Sequence, residues 1–94
     1  MHGEYKMSGG KLVVADLEVD AGRLCRVQIS GDFFLEPDSA LDVINAALEG
    51  QPAGADATQL AHAVERRLEA GMVLYGISPA AVATAVRRAL GDAA

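Results

Sequence analysis

The hydrophobic period of this chain changes once, near Phe34, and that change limits the folds open to it. From Lys11 to Asp20 the chain reads Lys-Leu-Val-Val-Ala-Asp-Leu-Glu-Val-Asp. Val13, Ala15, Leu17 and Val19 share one face, and Asp16, Glu18 and Asp20 share the other. Alternation with period two predicts a half-buried strand. From Arg23 to Ser30 the pattern recurs, with Cys25, Val27 and Ile29 inward and Arg26, Gln28 and Ser30 outward. Asp20-Ala21-Gly22-Arg23 between them reads as a turn in which glycine supplies a positive φ. Keeping Val19 and Cys25 on a common face calls for a three-residue loop with a bulge rather than a two-residue turn. A shorter strand is expected over residues 3–7, ended by Ser8-Gly9-Gly10.

Beyond Phe34 the period is helical. Glu36-Pro37 is expected to open a first helix, with Pro in the first helical position. Glu36, Asp38 and Asp42 then lie near the positive end of the helix dipole. Leu41, Ile44 and Leu48 form its inward stripe and Gly50 its stop. Residues 51–55 form a loop. Asp56 and Gln59 have capping-box spacing ahead of a second helix, with Leu60, Val64 and Leu68 inward and Gly71 beyond its end. Residues 72–76 form a short apolar connector, extended or irregular. Ser78-Pro79 starts a third helix, stapled by Ile77 and Val82, with Val82, Val86 and Leu90 inward.

The expected fold is therefore α+β. A small antiparallel sheet of two or three strands packs against three helices in two layers. One domain spans 1–94, with strands over about 3–34 and helices over about 37–90. The predicted core is Val13, Ala15, Leu17, Val19, Cys25, Val27, Ile29, Leu41, Ile44, Leu48, Leu60, Val64, Leu68, Val82, Val86 and Leu90. It is a modest core, because 18 of the apolar residues are alanine and only 22 are Val, Leu or Ile. A chain of 94 residues with such a core has little room for an elaborate active site.

Thirteen acids against eight bases give a net charge of −5, which disfavours nucleic acid and anionic membrane surfaces as partners. No apolar run approaches the roughly 20 residues of a membrane span. The N-terminus, Met1-His2-Gly3-Glu4, lacks the features of a secretion signal. A single cysteine excludes an internal disulfide framework, and all of this suits a cytoplasmic protein.

Chemistry is sparse. Gly9-Gly10-Lys11 lacks the rest of a phosphate-binding loop and precedes a strand, so it reads as a turn and a strand start, with Lys11 open to a phosphate or partner. His2 and His62 are far apart, His62 is expected to be exposed, and no metal site is expected. Cys25 is expected to be a buried, inert thiol. Arg66-Arg67 and Arg87-Arg88 read as solvated helix ends. No spacing supports a nucleophile–base pair or a carboxylate pair, so no catalytic residue is assigned.

One segment stands out. Ile29-Ser30-Gly31-Asp32-Phe33-Phe34-Leu35-Glu36-Pro37 places two of the four aromatic residues side by side. In extended chain, neighbouring side chains point to opposite faces, so one Phe can enter the core while the other faces outward; both rings under the first helix is the competing arrangement.

Gly9-Gly10-Lys11-Leu12-Val13, a hairpin, then Ser30-Gly31-Asp32-Phe33-Phe34-Leu35-Glu36-Pro37 and Ala40-Leu41 resemble the C-terminal accessory domain of lipoate–protein ligases. The Gly-Asp-Phe-Phe step is the most specific part. The resemblance covers residues 2–90, and from the first helix onward it is mainly one of pattern. In that family the domain is fused behind a catalytic domain or is a separate small polypeptide paired with a catalytic subunit. Beginning with Met and ending after the third helix, the chain looks like the stand-alone form.

The resemblance implies a role. Such ligases use ATP and magnesium to convert lipoate to lipoyl-adenylate, then transfer the lipoyl group to a lysine of an acceptor domain. The catalytic machinery lies in the large subunit, and the accessory domain serves mainly adenylation. By itself the chain is expected to bind no cofactor. Lys11, Asp32, Phe33 and Phe34 are the candidate residues near the partner or nucleotide, with Glu36 weaker. The alternatives are a structural or regulatory interaction module of similar fold, and a sulfur-handling or iron–sulfur scaffold protein, which would need an exposed reactive cysteine.

Overall fold

The computed structural model describes residues 1–9 and 11–92. Gly10 of the Gly9-Gly10-Lys11 motif lies outside them. The elements run β1 (His2–Lys6), β2 (Leu12–Asp20), β3 (Arg23–Gly31), β4 (Phe34–Glu36), α1 (Ala40–Leu48), α2 (Ala57–Arg67), β5 (Val73–Tyr75) and α3 (Pro79–Ala89). Strands β1, β2 and β3 form an antiparallel sheet in that order, and β4 pairs antiparallel with β5 in a second, two-stranded ribbon. This is the expected α+β class, with a second ribbon that the periodicity did not reveal.

Helix α3 packs over β1 and β2, α1 lies along β3, and α2 packs against both helices. Val13, Ala15, Leu17, Val27 and Ile29 from the sheet meet Ile44, Leu48, Leu60, Val64, Val82 and Val86 from the helices in one core. Alanine supplies much of the rest: Ala81, Ala85 and Ala89 lie along one side of α3 and are buried. They allow β1 to approach closely, and a Cβ on Gly3 would stand 2.2 Å from the Ala89 nitrogen and 2.4 Å from the Ala85 carbonyl oxygen. Val19, Leu41, Leu68 and Leu90, expected inside, pack on the core while keeping some exposure.

The β2–β3 hairpin differs from expectation. Asp20 pairs directly with Arg23, so the loop has two residues, Ala21 at φ 52 and Gly22 at φ 78. Two consecutive positive φ values describe a type I′ turn, whose twist suits paired strands. The bulge lies further along. Asp16 pairs with Gln28 and Glu18 with Cys25, so β3 carries one extra residue opposite β2. Arg26, at φ 52, lies in this bulge. The extra residue shifts the facing of everything on the turn side, so Leu24 rather than Cys25 joins Val27 and Ile29 in the core. Cys25 is half-exposed, not a buried thiol. Its burial therefore no longer argues against a sulfur-handling role; the single cysteine still does.

The bulge is held by α1. The Glu49 carboxylate accepts from the Val27 N–H at 2.6 Å and the Arg26 N–H at 3.2 Å, and Asn45 Oδ1 accepts from the Ile29 N–H at 3.0 Å. Residues 50–53 continue along the same edge, where the Leu24 N–H donates to the Gln51 carbonyl and the Gly50 N–H to the Leu24 carbonyl. Side chains and loop together occupy the outer edge of β3, which would otherwise offer unpaired backbone groups to another chain.

Two helices start where their caps are encoded. Asp56 and Gln59 form the reciprocal capping box, and Ser78 Oγ accepts from the Ala81 N–H with Pro79 following. Glu36-Pro37 does not open α1. Glu36 ends β4, the Glu36–Pro37 peptide is cis, and the helix begins at Ala40 with Ser39 before it. Nor are Arg87 and Arg88 simply solvated. Arg87 donates to the carbonyls of Ala53 and Ala55 and pairs with Asp92 at 2.8 Å. Arg88 donates to the Glu4 carbonyl and covers the Tyr5 ring at 5.0 Å. Both arginines fasten α3 to its surroundings.

Candidate functional site

The Gly-Asp-Phe-Phe segment is where β3 passes into the β4–β5 ribbon. Gly31 makes the passage possible. Its φ is +151, and a Cβ there would lie 2.0 Å from the Leu12 carbonyl oxygen and 2.9 Å from the Phe33 ring. Only glycine allows the strands to close to this distance in that conformation. Asp32 then ties back to β2, its Oδ1 accepting from the Leu12 N–H at 2.6 Å. This carboxylate is occupied by its own fold.

Phe33 and Phe34 diverge. Phe33 lies over Gly31 and packs against the core. Phe34 opens β4 and is 76% exposed. The ribbon register explains the split: Phe34 pairs with Tyr75, Leu35 with Leu74 and Glu36 with Val73. Strand side chains alternate. Leu35 is buried and Leu74 packs on the core, while Phe34, Tyr75, Glu36 and Val73 are exposed. Beside Phe34 a shallow groove of about 250 Å³ is lined by Phe33, Phe34, Leu35, Asp38 and Leu41.

Lys11 reaches the same region from the start of β2. Its aliphatic stem crosses Gly76, where a Cβ would stand 3.1 Å from Lys11 Cγ. The five residues singled out in the sequence thus gather around the ribbon. Asp32 and Phe33 act within the fold, whereas Lys11, Phe34 and Glu36 are exposed. Sequence reasoning missed Tyr75 and Val73. A three-residue strand carries too little periodicity to be read, and the apolar run 72–76 was the one signal pointing to it.

Other places offer less. A hollow of about 460 Å³ lies between the 51–55 loop and α2 and is lined in part by Gln51, Gln59, His62 and Arg66. No ribbon residue lines it, and its lining brings no nucleophile–base pair together. His2 is held between Asp16 at 2.7 Å and Glu4 at 2.8 Å, one carboxylate on each ring nitrogen. Hydrogen bonds to Glu4 first, and then to Asp16, raise its pKa above the ordinary histidine value. Among the described residues, no group of three or more His, Cys, Asp or Glu side chains is arranged to hold a metal ion. No helix among them is long and apolar enough to cross a membrane.

No family model and no curated protein matches the chain. Among solved structures, it is similar to a chain from an archaeal lipoylation system, a bipartite lipoate protein ligase and its lipoyl domain from Thermoplasma acidophilum. The likeness covers 99% of this chain and 100% of that one, with a TM-score of 0.65 and 22% sequence identity. The two chains share a fold along their full lengths.

Proposed function

We propose that this chain is the small, non-catalytic subunit of a two-part lipoate–protein ligase, supporting lipoyl-adenylate formation by a separate catalytic subunit. The observation that carries the reading is the end-to-end fold likeness to a chain from a bipartite ligase system. The Ser30–Pro37 segment supports it, because it leaves Phe34 and Glu36 exposed on the β4–β5 ribbon, with Lys11 lying against Gly76 beside it.

In this reading ATP, magnesium and lipoate are used by the complex, and the catalytic subunit holds the reacting groups. The small subunit contributes by packing on its partner and ordering the adenylation site, which excludes water and fixes mobile loops. Phe34 contacts the partner, and Lys11 lies toward the partner or the nucleotide. Asp32 and Phe33 keep the ribbon in place behind them. The complex works in the cytoplasm on lipoyl acceptor domains.

The test is reconstitution. The full chain and the purified catalytic subunit from the same organism are mixed with lipoate and ATP, and lipoate-dependent pyrophosphate release is followed. The expected result is at least a tenfold gain on adding the chain. Equal adenylation with and without it would sink the proposal and favour an interaction module unconnected with ligation.

A further inference from the structure

Among the described residues, four large hydrophobic side chains are exposed, and three of them, Phe34, Tyr75 and Val73, lie on one face of the β4–β5 ribbon. Phe34 is 76% exposed and its cross-strand neighbour Tyr75 51%. Two adjacent aromatic rings left in water on a strand pair are costly, and such clusters mark contact sites. The ribbon itself points the same way. It has three residues per strand, and among the described residues its backbone groups bond to nothing beyond the ribbon. A two-stranded ribbon is marginal alone and is completed by what packs on it.

The charge around this face selects the occupant. Glu36 stands on it and Asp38 lines the adjoining groove, and neither forms an ion pair among the described residues. At the other end Lys11 lies along Gly76, beside Tyr75. A second copy of this chain would bring the same acidic rim and a further net charge of −5. A partner suited to the face instead offers an apolar socket for Phe34 and Tyr75, with basic side chains beside Glu36 and Asp38. Opposed charges around an apolar centre fix register and raise the association rate.

Resting on the function proposed above, we infer that the outward face of the β4–β5 ribbon is the docking surface for the catalytic subunit, which meets it with an apolar socket edged by Lys or Arg. Phe34 and Tyr75 are its anchors, and Glu36 and Asp38 orient it. The β1–β2–β3 sheet surface around Gln28 takes no part.

The experiment is titration of the full chain against the purified catalytic subunit from the same organism, at about 50 and 300 mM salt, two conditions that bracket the usual screening range. Phe34→Ala and Tyr75→Ala are each expected to weaken binding at least tenfold, as buried aromatic anchors do. The double variant Glu36→Lys, Asp38→Lys is expected to lose at least fivefold at low salt and to remove most of the salt dependence. Gln28→Ala should bind as the parent. Circular dichroism confirms that the variants fold, which their exposed positions favour. Aromatic variants that bind within twofold of the parent would overturn the assignment. So would charge reversal that strengthens binding, or sedimentation showing that Phe34 holds together two copies of the chain. If the parent stimulates adenylation while all variants behave like it, the surface alone is wrong. If the parent neither binds nor stimulates, the proposed function falls with it.

Discussion

Three glycines separate two physical costs that substitution usually confounds, and the structure predicts their order. Gly22 has φ +78 in the type I′ turn, and nothing lies within 4 Å of the place an added methyl group would take. Gly22→Ala therefore costs backbone strain alone, about 1–2 kcal/mol, offset in part by about 0.4–1 kcal/mol from a less flexible unfolded chain. Gly3 isolates the other cost. A Cβ there would lie 2.2, 2.4 and 2.8 Å from backbone atoms of Ala85 and Ala89. No side chain can turn aside, so β1 must move off α3, at the upper end of the roughly 1–3 kcal/mol typical of overpacking. Gly31 combines both, with φ +151 and a Cβ 2.0 Å from the Leu12 carbonyl oxygen. The sum is about 3–5 kcal/mol. For a domain of this size each kcal/mol lowers Tm by roughly 4–8 °C. Gly22→Ala should melt no more than about 13 °C below the parent, Gly3→Ala about 8–24 °C below, and Gly31→Ala lower still or unfolded at room temperature. Thermal melts followed by circular dichroism, with urea titration to confirm two-state behaviour, measure the series. A Gly31→Ala protein as stable as Gly22→Ala would show that β2 does not close on the β3–β4 passage.

Leu24→Ala should cost about 2–5 kcal/mol in urea unfolding, whereas Cys25→Ala should cost under about 1 kcal/mol; the reverse order would refute the bulge. Glu49→Ala removes the acceptor shared by the Arg26 and Val27 N–H groups and should cost about 1–2 kcal/mol, with Glu49→Gln intermediate; a neutral result would mean that water replaces the carboxylate without loss. The raised pKa of His2 has a definite sign: its two carboxylate bonds stabilise the fold fully below the unfolded value of 6.5 and are lost as pH rises through the higher folded value. Tm should therefore fall slightly from pH 6 toward pH 8, more steeply than in His2→Ala, and a proton NMR titration that places His2 at or below 6.5 would contradict the clamp.

Much of this fold is written in short segments of the sequence. Asp56 with Gln59 and Ser78 with Pro79 start α2 and α3 through hydrogen bonds that close within four residues, so local spacing suffices to place them. Alternation located β2 and β3 because each is nine residues long and one face is buried. The same local reasoning failed at Glu36-Pro37. A proline at the head of a helical pattern suits a first helical turn, yet residues 34–36 are claimed by a strand partner nearly forty positions away. Similarly, an apolar run at 72–76 is ambiguous until Phe34 and Tyr75 are seen side by side.

By itself the sequence determined the order of the three long strands and three helices, the α+β class and the segment worth watching, because periodicity and capping act over a few residues. The tertiary structure alone decided where the facing of β3 changes and which aromatic is free. The bulge at Arg26 depends on Glu49, a residue from another element, and it exchanges Cys25 for Leu24 in the core. Phe33 turns inward because Gly31 leaves room for its ring, and Phe34 turns outward because Leu35 must reach the core. These choices come from contacts between distant residues, whose energies no local pattern contains.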